Sequence, residues 1–232
     1  MKHFFSVLLL SFLSAVTFSQ SINGAWKRDL DTAVQYITII DDYFSTATFN
    51  IADKKFINTR GGTANFADDK MSGVIEFNTS NKSEVKSTYS YNVKLKGKKL
   101  SLPTDGISKD WERVDDGSYA LSGNWKITGR EQEGKMVAMR PGARKTIKIL
   151  SGTRFQWAAI NSETGEFFGT GGGNYTFKDG KYMENIEFFS RDASRVGASL
   201  SFDAALKEGK WHHSGLSSKG DKIYEVWERG KN

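Results

Sequence analysis

Cysteine occurs nowhere in the chain. That excludes disulfides, thiolate metal sites and a cysteine nucleophile, and it removes the residue on which a bacterial lipoprotein signal is lipidated. A secreted domain without disulfides must hold together by core burial, which calls for units of roughly 90 residues or more. Proline is nearly as scarce, at two residues, so the chain is punctuated mainly by its 23 glycines. Runs of one charge are missing too: 33 lysines and arginines lie among 27 acids, a net of +6. A nucleic-acid partner would call for clustered basic residues interleaved with aromatics, so none is expected. The modest excess allows at most a weak attraction to acidic polysaccharide or an anionic surface.

What is present begins with a secretory pattern. Residues 1–19 read as a signal peptide: Lys2 supplies the charged start, residues 4–16 are an apolar run broken only by serines, and Thr17-Phe18-Ser19 offers a small residue at the cleavage point. The run is shorter than the about 20 residues a membrane span needs. No later segment is apolar enough to cross, so a soluble, secreted or periplasmic chain is expected, without membrane insertion after cleavage. Hydrophobic residues are 38% and aromatics 13% of the chain. The composition is globular, with the side chains that suit a pleated, half-buried surface.

The sequence repeats itself, a signal to be sought before any other. Ile22-Asn23-Gly24-Ala25-Trp26-Lys27 returns as Leu121-Ser122-Gly123-Asn124-Trp125-Lys126, and Ile37-Thr38-Ile39 is echoed by Ile147-Lys148-Ile149. Phe56, Gly61-Gly62, Phe66, Asp68, Lys70 and Ile75-Glu76-Phe77 recur at one constant offset as Phe167, Gly172-Gly173, Phe177, Asp179, Lys181 and Ile186-Glu187-Phe188. Trp111-Glu112-Arg113 and Trp227-Glu228-Arg229 close the two units. Two tandem domains are expected, residues 20–116 and 117–232, meeting at the polar turn cluster Asp115-Asp116-Gly117-Ser118.

Within each unit the periodicity is close to two, as in Thr146-Ile147-Lys148-Ile149-Leu150 and Arg154-Phe155-Gln156-Trp157-Ala158. Glycine turns separate such runs at the spacing of an antiparallel meander. Helical periodicity is lacking; residues 28–36 are the best candidate, and they are few. About eight short strands per unit can form a sandwich or a closed barrel, and closure removes the edges a secreted sheet must otherwise protect. A barrel of that size has room for side chains or one small ligand.

A Gly-x-Trp near the start and an arginine near the end of such a meander resemble the calycin superfamily of lipocalins and fatty-acid-binding proteins. That resemblance implies an all-β chain of two tandem antiparallel up-and-down barrels, each closed at one end by a tryptophan under an arginine. The pairs would be Trp26 with Arg113 and Trp125 with Arg229. The second unit more narrowly resembles lipocalin-like proteins secreted by Bacteroidetes, over residues 145–157, 169–191 and Trp211-His212-His213-Ser214-Gly215. The first unit lacks the last of these stretches.

Candidate sites are few. Gly169-Thr170-Gly171-Gly172-Gly173 lacks the Gly-Lys-Ser/Thr and helix that a phosphate loop requires; glycines that let a strand bend at a barrel corner explain it better. Adjacent His212 and His213 point to opposite faces of a strand and do not readily share a metal, so no metal or other cofactor is expected. Glu76 and Glu187, each between an isoleucine and a phenylalanine, would face either solvent or lumen. An inward acid needs a partner, for which Arg154, Arg191 and Arg195 are candidates. Glu187 with an arginine, Trp157, Tyr175 and His213 would form a polar-aromatic cup for a small amphipathic or carbohydrate-like ligand. Binding or carriage of such a ligand, with the better-formed site in the second unit, is the expected function. The alternatives are a hydrolase or isomerase using Glu187 and His213 as acid and base, and a module reading polysaccharide through exposed aromatics.

Overall fold

The computed structural model describes residues 21–230; the signal peptide expected at residues 1–19 lies outside them. The first unit contributes β1 (Gly24–Asp29), β2 (Val34–Ile40), β3 (Tyr43–Asn50), β4 (Lys55–Thr63), β5 (Asn65–Ala67), β6 (Lys70–Asn78), β7 (Thr88–Asn92), β8 (Lys94–Lys96), β9 (Lys99–Ser101) and β10 (Trp111–Arg113). The second contributes β11 (Gly123–Gln132), β12 (Lys135–Ala138), β13 (Arg144–Leu150), β14 (Arg154–Asn161), β15 (Glu166–Lys178), β16 (Lys181–Phe189), β17 (Ser199–Lys207), β18 (Lys210–Leu216) and β19 (Lys222–Arg229). Among the described residues there is no α-helix, only two short 3-10 turns. The stretch 28–36, the best helical candidate, is instead the end of β1, a turn and the start of β2. Its inward residues Arg28 and Gln35 sit opposite each other across the β1–β2 ladder.

Each unit is an antiparallel barrel of neighbouring strands. In the second, β11 pairs with both β13 and β19, so the ladder has no free edge, and β12 is an outer flap on β11. In the first, the curled sheet ends at β7, which pairs with β6, and at β8, which pairs with β9. Val93 alone separates those two strands, and its N–H bonds to the Asp69 carbonyl at 2.7 Å, so the chain itself bridges the gap. No sheet is shared between the units.

The duplication reaches the irregularities of the backbone. Both barrels carry a β-bulge where Gly62 opposes Ile75 and Gly61 opposes Phe77, or Gly173 opposes Ile186 and Gly172 opposes Phe188. The glycines permit a close approach: a Cβ on Gly62 would lie 2.0 Å from the Val74 carbonyl oxygen, and one on Gly173 1.9 Å from that of Asn185. The 3-10 turns also correspond, capped by Asn81 and by Asp192. One match in the sequence is corrected. Trp26 faces Ile37 across the ladder, whereas Trp125 faces Lys148. Ile37 therefore corresponds to Lys148 rather than Ile147, and a one-residue slip inverts every facing in the segment.

The two barrels pack wall to wall. Ile40, Tyr43 and Phe77 of the first join Ile147, Ile149, Ala158 and Ile160 of the second in one buried cluster. Phe188 stacks on Phe49, with ring centroids 4.8 Å apart. Within this apolar contact the polar groups are paired, as burial demands. Gln156 accepts from Ser45 Oγ at 2.5 Å and donates to Thr59 Oγ1 at 2.8 Å. The connecting segment is not a loose tether: the Asp115 carboxylate accepts from Ala25 N in the first barrel and from Ser151 Oγ, Gly152 N and Thr153 N in the second.

Candidate ligand-binding site

Each barrel is shut at one end by the arrangement its terminal residues imply. Arg113 lies 4.0 Å above the Trp26 ring and donates to the Asn23 carbonyl, while Trp26 Nε1 donates to Ile22 O at 2.9 Å. Arg229 lies 4.7 Å above Trp125, whose Nε1 donates to Leu121 O at 2.8 Å. Arg229 also pairs at 2.6 Å with Asp41 of the first barrel, so this closure doubles as an inter-barrel contact. A ligand would enter from the other end.

In the second barrel the interior is filled by side chains. The rung that holds Trp125 continues through Lys148, Trp157, Gly171 and Phe189, and the Trp157 ring crosses to Phe189 at 5.4 Å. The Lys148 ammonium is paired with Glu184 at 2.8 Å and lies 5.2–5.3 Å from the rings of Tyr182, Trp211 and Trp227. His213 sits among Tyr182, Phe202 and Trp211, with Nδ1 3.5 Å from Glu225, which Arg130 binds at 2.6 Å. Burial, aided by the Lys148 charge, pushes the His213 imidazole below its ordinary pKa. Burial opposes ionisation of Glu225, but His213, Lys148 and Arg130 outweigh it and hold the carboxyl at about 2.

The six residues predicted to share a ligand cup are divided by the barrel wall. Trp157, Tyr175 and His213 face inward, and Tyr175 donates to the Ser151 carbonyl at 2.7 Å. Glu187 and Arg154 are on the outer wall, joined by two hydrogen bonds of 2.7 and 2.6 Å, with Asn174 donating to Glu187 at 2.8 Å. The Arg154 guanidinium lies 3.8 Å above the Tyr36 ring of the first barrel. Arg191 is exposed, its stem over Gly169. Arg195, the other partner considered for an inward acid, binds Asp192 at 3.0 Å instead. The wall thus separates Glu187 from His213. Glu76 repeats the pattern, accepting from Tyr43 Oη at 2.6 Å and from Lys145 at 2.8 Å across the barrel contact. Both glutamates are the extra residue of their bulge, which turns Glu187 and Phe188 to one side, so neither acid faces lumen or open solvent. His212, as expected, faces away from His213 and bonds Tyr224 at 2.9 Å.

The first barrel differs at its mouth. The rung through Trp26 continues as Ile37, Thr46, Arg60 and Asn78, and the next holds Gln35, Thr48 and Asn58. Their counterparts in the second barrel include Trp157, Gly171 and Phe189, so polar groups stand where the second barrel has aromatic rings and glycine. Gln35, Thr48, Asn58, Arg60 and Asn78 line a cavity of about 710 Å³, with Leu30, Ile57, Tyr91 and Ile107 adding apolar surface and Asp31, Glu84 and Asp105 acids. That volume lies within the usual range for small-molecule sites. Arg60 is 7% exposed; it donates to Asp105 at 3.1 Å and Tyr91 Oη at 2.9 Å, and lies 3.5 Å from Glu84. Burial works against its charge, but Tyr91 and Asp105 prevail and hold its pKa above the ordinary value. Its Nε, and the hydroxyl of Thr48, 4% exposed, are buried without a hydrogen-bond partner among the described residues.

Arg28 builds this wall from behind. It is stacked 4.1 Å from the Trp111 ring and donates to Gln35 Oε1 at 2.7 Å and to the carbonyls of Thr104 and Ile107 at 3.1 Å each. Burial lowers its pKa to about 10, against the raising effect of Asp105, so it remains charged at neutral pH. Gln35 in turn donates to Asp105 at 3.0 Å, so Arg28 fixes the loop that presents Asp105 to Arg60. None of these residues belongs to a motif. The available signal was parity: Phe44, Thr46 and Thr48 alternate with Ser45 and Ala47, and the correct register of the repeat makes the threonines inward. Compared with protein-family models and with curated proteins, the chain matches none of either.

Proposed function

We propose that this chain is a lipocalin-like protein of the extracytoplasmic space that binds or carries a small amphipathic or carbohydrate-like molecule, and that the mouth of the first barrel is where it does so. The observation that carries the reading is the cavity of about 710 Å³, which sets the polar side chains of Asn58, Arg60 and Tyr91 beside the apolar surface of Leu30, Ile57 and Ile107. A few polar groups set in apolar surface are what orients a ligand in small-molecule sites. The secretory pattern of residues 1–19 and the resemblance of the second unit to secreted Bacteroidetes proteins support the compartment. The packed interior of the second barrel gives it the role of a support, held to the first by paired charges. A Glu187–His213 acid–base mechanism has no geometric support, since the barrel wall stands between the two.

The test is native mass spectrometry of protein purified from its host. An adduct is expected that Asn58→Trp, which fills the mouth of the first barrel, abolishes and Trp157→Ala in the second barrel leaves in place. An adduct lost only with Trp157→Ala would move the site to the second barrel and overturn this assignment.

A further inference from the structure

Resting on that reading, we infer that the ligand of the first barrel's mouth is a neutral, hydroxyl-rich molecule of the saccharide class, selected against anionic analogues. The cations at this end are already matched. Arg60 faces Asp105 and Glu84, and Arg28, 4.0 Å from Asp105, spends its remaining donors on Gln35 and on backbone carbonyls. A ligand carboxylate, sulfate or phosphate would have to displace Asp105 or Glu84 from Arg60, and would meet Asp31 at the rim. An ammonium group can pair with Asp31 at the rim, so the discrimination is against negative charge. Parting the largely buried Arg60 from its acids is costly.

The groups left over suit hydroxyls. The Tyr91 hydroxyl accepts from Arg60 and keeps its own proton to donate. The Asn58 side chain makes no hydrogen bond among the described residues and offers both a donor and an acceptor. Tyr91, Ile57, Leu30 and Ile107 provide apolar surface for the C–H faces of a sugar ring. By contrast Gln35 and Asn78 are committed to protein: Gln35 to Arg28 and Asp105, Asn78 to Glu84 and to the backbone of Ser80 and Asn81.

The experiment is an NMR titration of the full secreted chain with neutral mono- and disaccharides, and with glucuronate as the anionic counterpart. At least one neutral sugar is expected to shift the amides around Thr48 and Arg60, with glucuronate binding at least tenfold more weakly. Asn58→Leu keeps much of the shape, removes the amide, and should weaken that binding about fivefold, in line with the loss of one hydrogen bond, at unchanged Tm. Equal or tighter binding of the uronate overturns the inference, as does no binding across the panel or no effect of Asn58→Leu. If such a failure accompanies an adduct still abolished by Asn58→Trp, the ligand class falls and the binding site stands. If the adduct survives Asn58→Trp, both fall.

Discussion

Replacing Arg154 by methionine should destabilise the protein by about 3–4 kcal/mol, mostly through what it leaves behind. The substitution keeps much of the side-chain volume but strips Glu187 of both arginine hydrogen bonds, leaving only the amide of Asn174. Breaking a buried pair by removing one member costs about 3–5 kcal/mol. The Glu187 side chain keeps 22% exposure, so water relieves part of that and about 2–3 kcal/mol remains. Loss of the guanidinium from the face of Tyr36, 3.8 Å away, adds about 1 kcal/mol. Arg154→Met/Glu187→Leu removes the orphaned acid as well and should cost only about 1–2 kcal/mol, which makes the double variant more stable than the single one. Urea unfolding at pH 7, followed by tryptophan fluorescence, measures all three variants. The pH dependence gives a second check. Burial opposes the Glu187 charge, but Arg154 and Asn174 outweigh it and hold the carboxyl below its ordinary pKa. In the native protein this contribution is present above the unfolded pKa near 4.5 and is lost as pH falls through the lower folded value. In Arg154→Met the sign reverses, and the deficit should shrink on acidification as the stranded acid takes up a proton. Equal losses in single and double variants, or a deficit indifferent to pH, would refute the claim that this pair is a buried element of the barrel contact.

Gly173→Ala forces a Cβ to within 1.9 Å of the Asn185 carbonyl oxygen and should cost about 3 kcal/mol, the upper end for overpacking because the neighbour is backbone. Gly142→Ala, with nothing within 4 Å, should change the urea midpoint little in the same assay. Acidification should weaken the second barrel in two steps. His213 has a folded pKa below 6.5, so its contribution is complete above that value and is lost as pH falls through the folded one; Glu225 follows between about 4.5 and about 2. His213→Leu, the residue at the matching Leu102 of the first barrel, should abolish the decline in thermal stability between pH 7 and 5, and an unchanged decline would assign it to other groups.

The barrels and their closures were legible because they rest on local cues: alternation, glycine turns, and a tryptophan and an arginine whose roles repeat. The site was not, because it depends on parity, and parity fails in two places. At the bulges one extra residue enters the count, so Glu76 and Glu187, placed by alternation in lumen or solvent, lie in neither. At Ile147-Lys148-Ile149 the polar residue faces inward and the isoleucines outward, the inverse of a barrel in water. Both inversions have one cause: the outer wall of the second barrel is buried against the first, where Ile147 and Ile149 meet Ile40 and Tyr43. A wall with two buried faces needs no polar side, so its charges collect wherever they find partners. Lys148 finds Glu184 inside, and Lys145 finds Glu76 across the contact. The first barrel presents apolar Phe49 and Phe77 to that same contact, and its inward polar residues, Thr48 and Arg60, gather at the open end. There Arg60, with Asn58 and Tyr91, is the chemistry a ligand would meet. A sequence read one barrel at a time assigns the isoleucines to the lumen and overlooks the threonines, because the pattern reflects the neighbouring barrel as much as the strand that carries it.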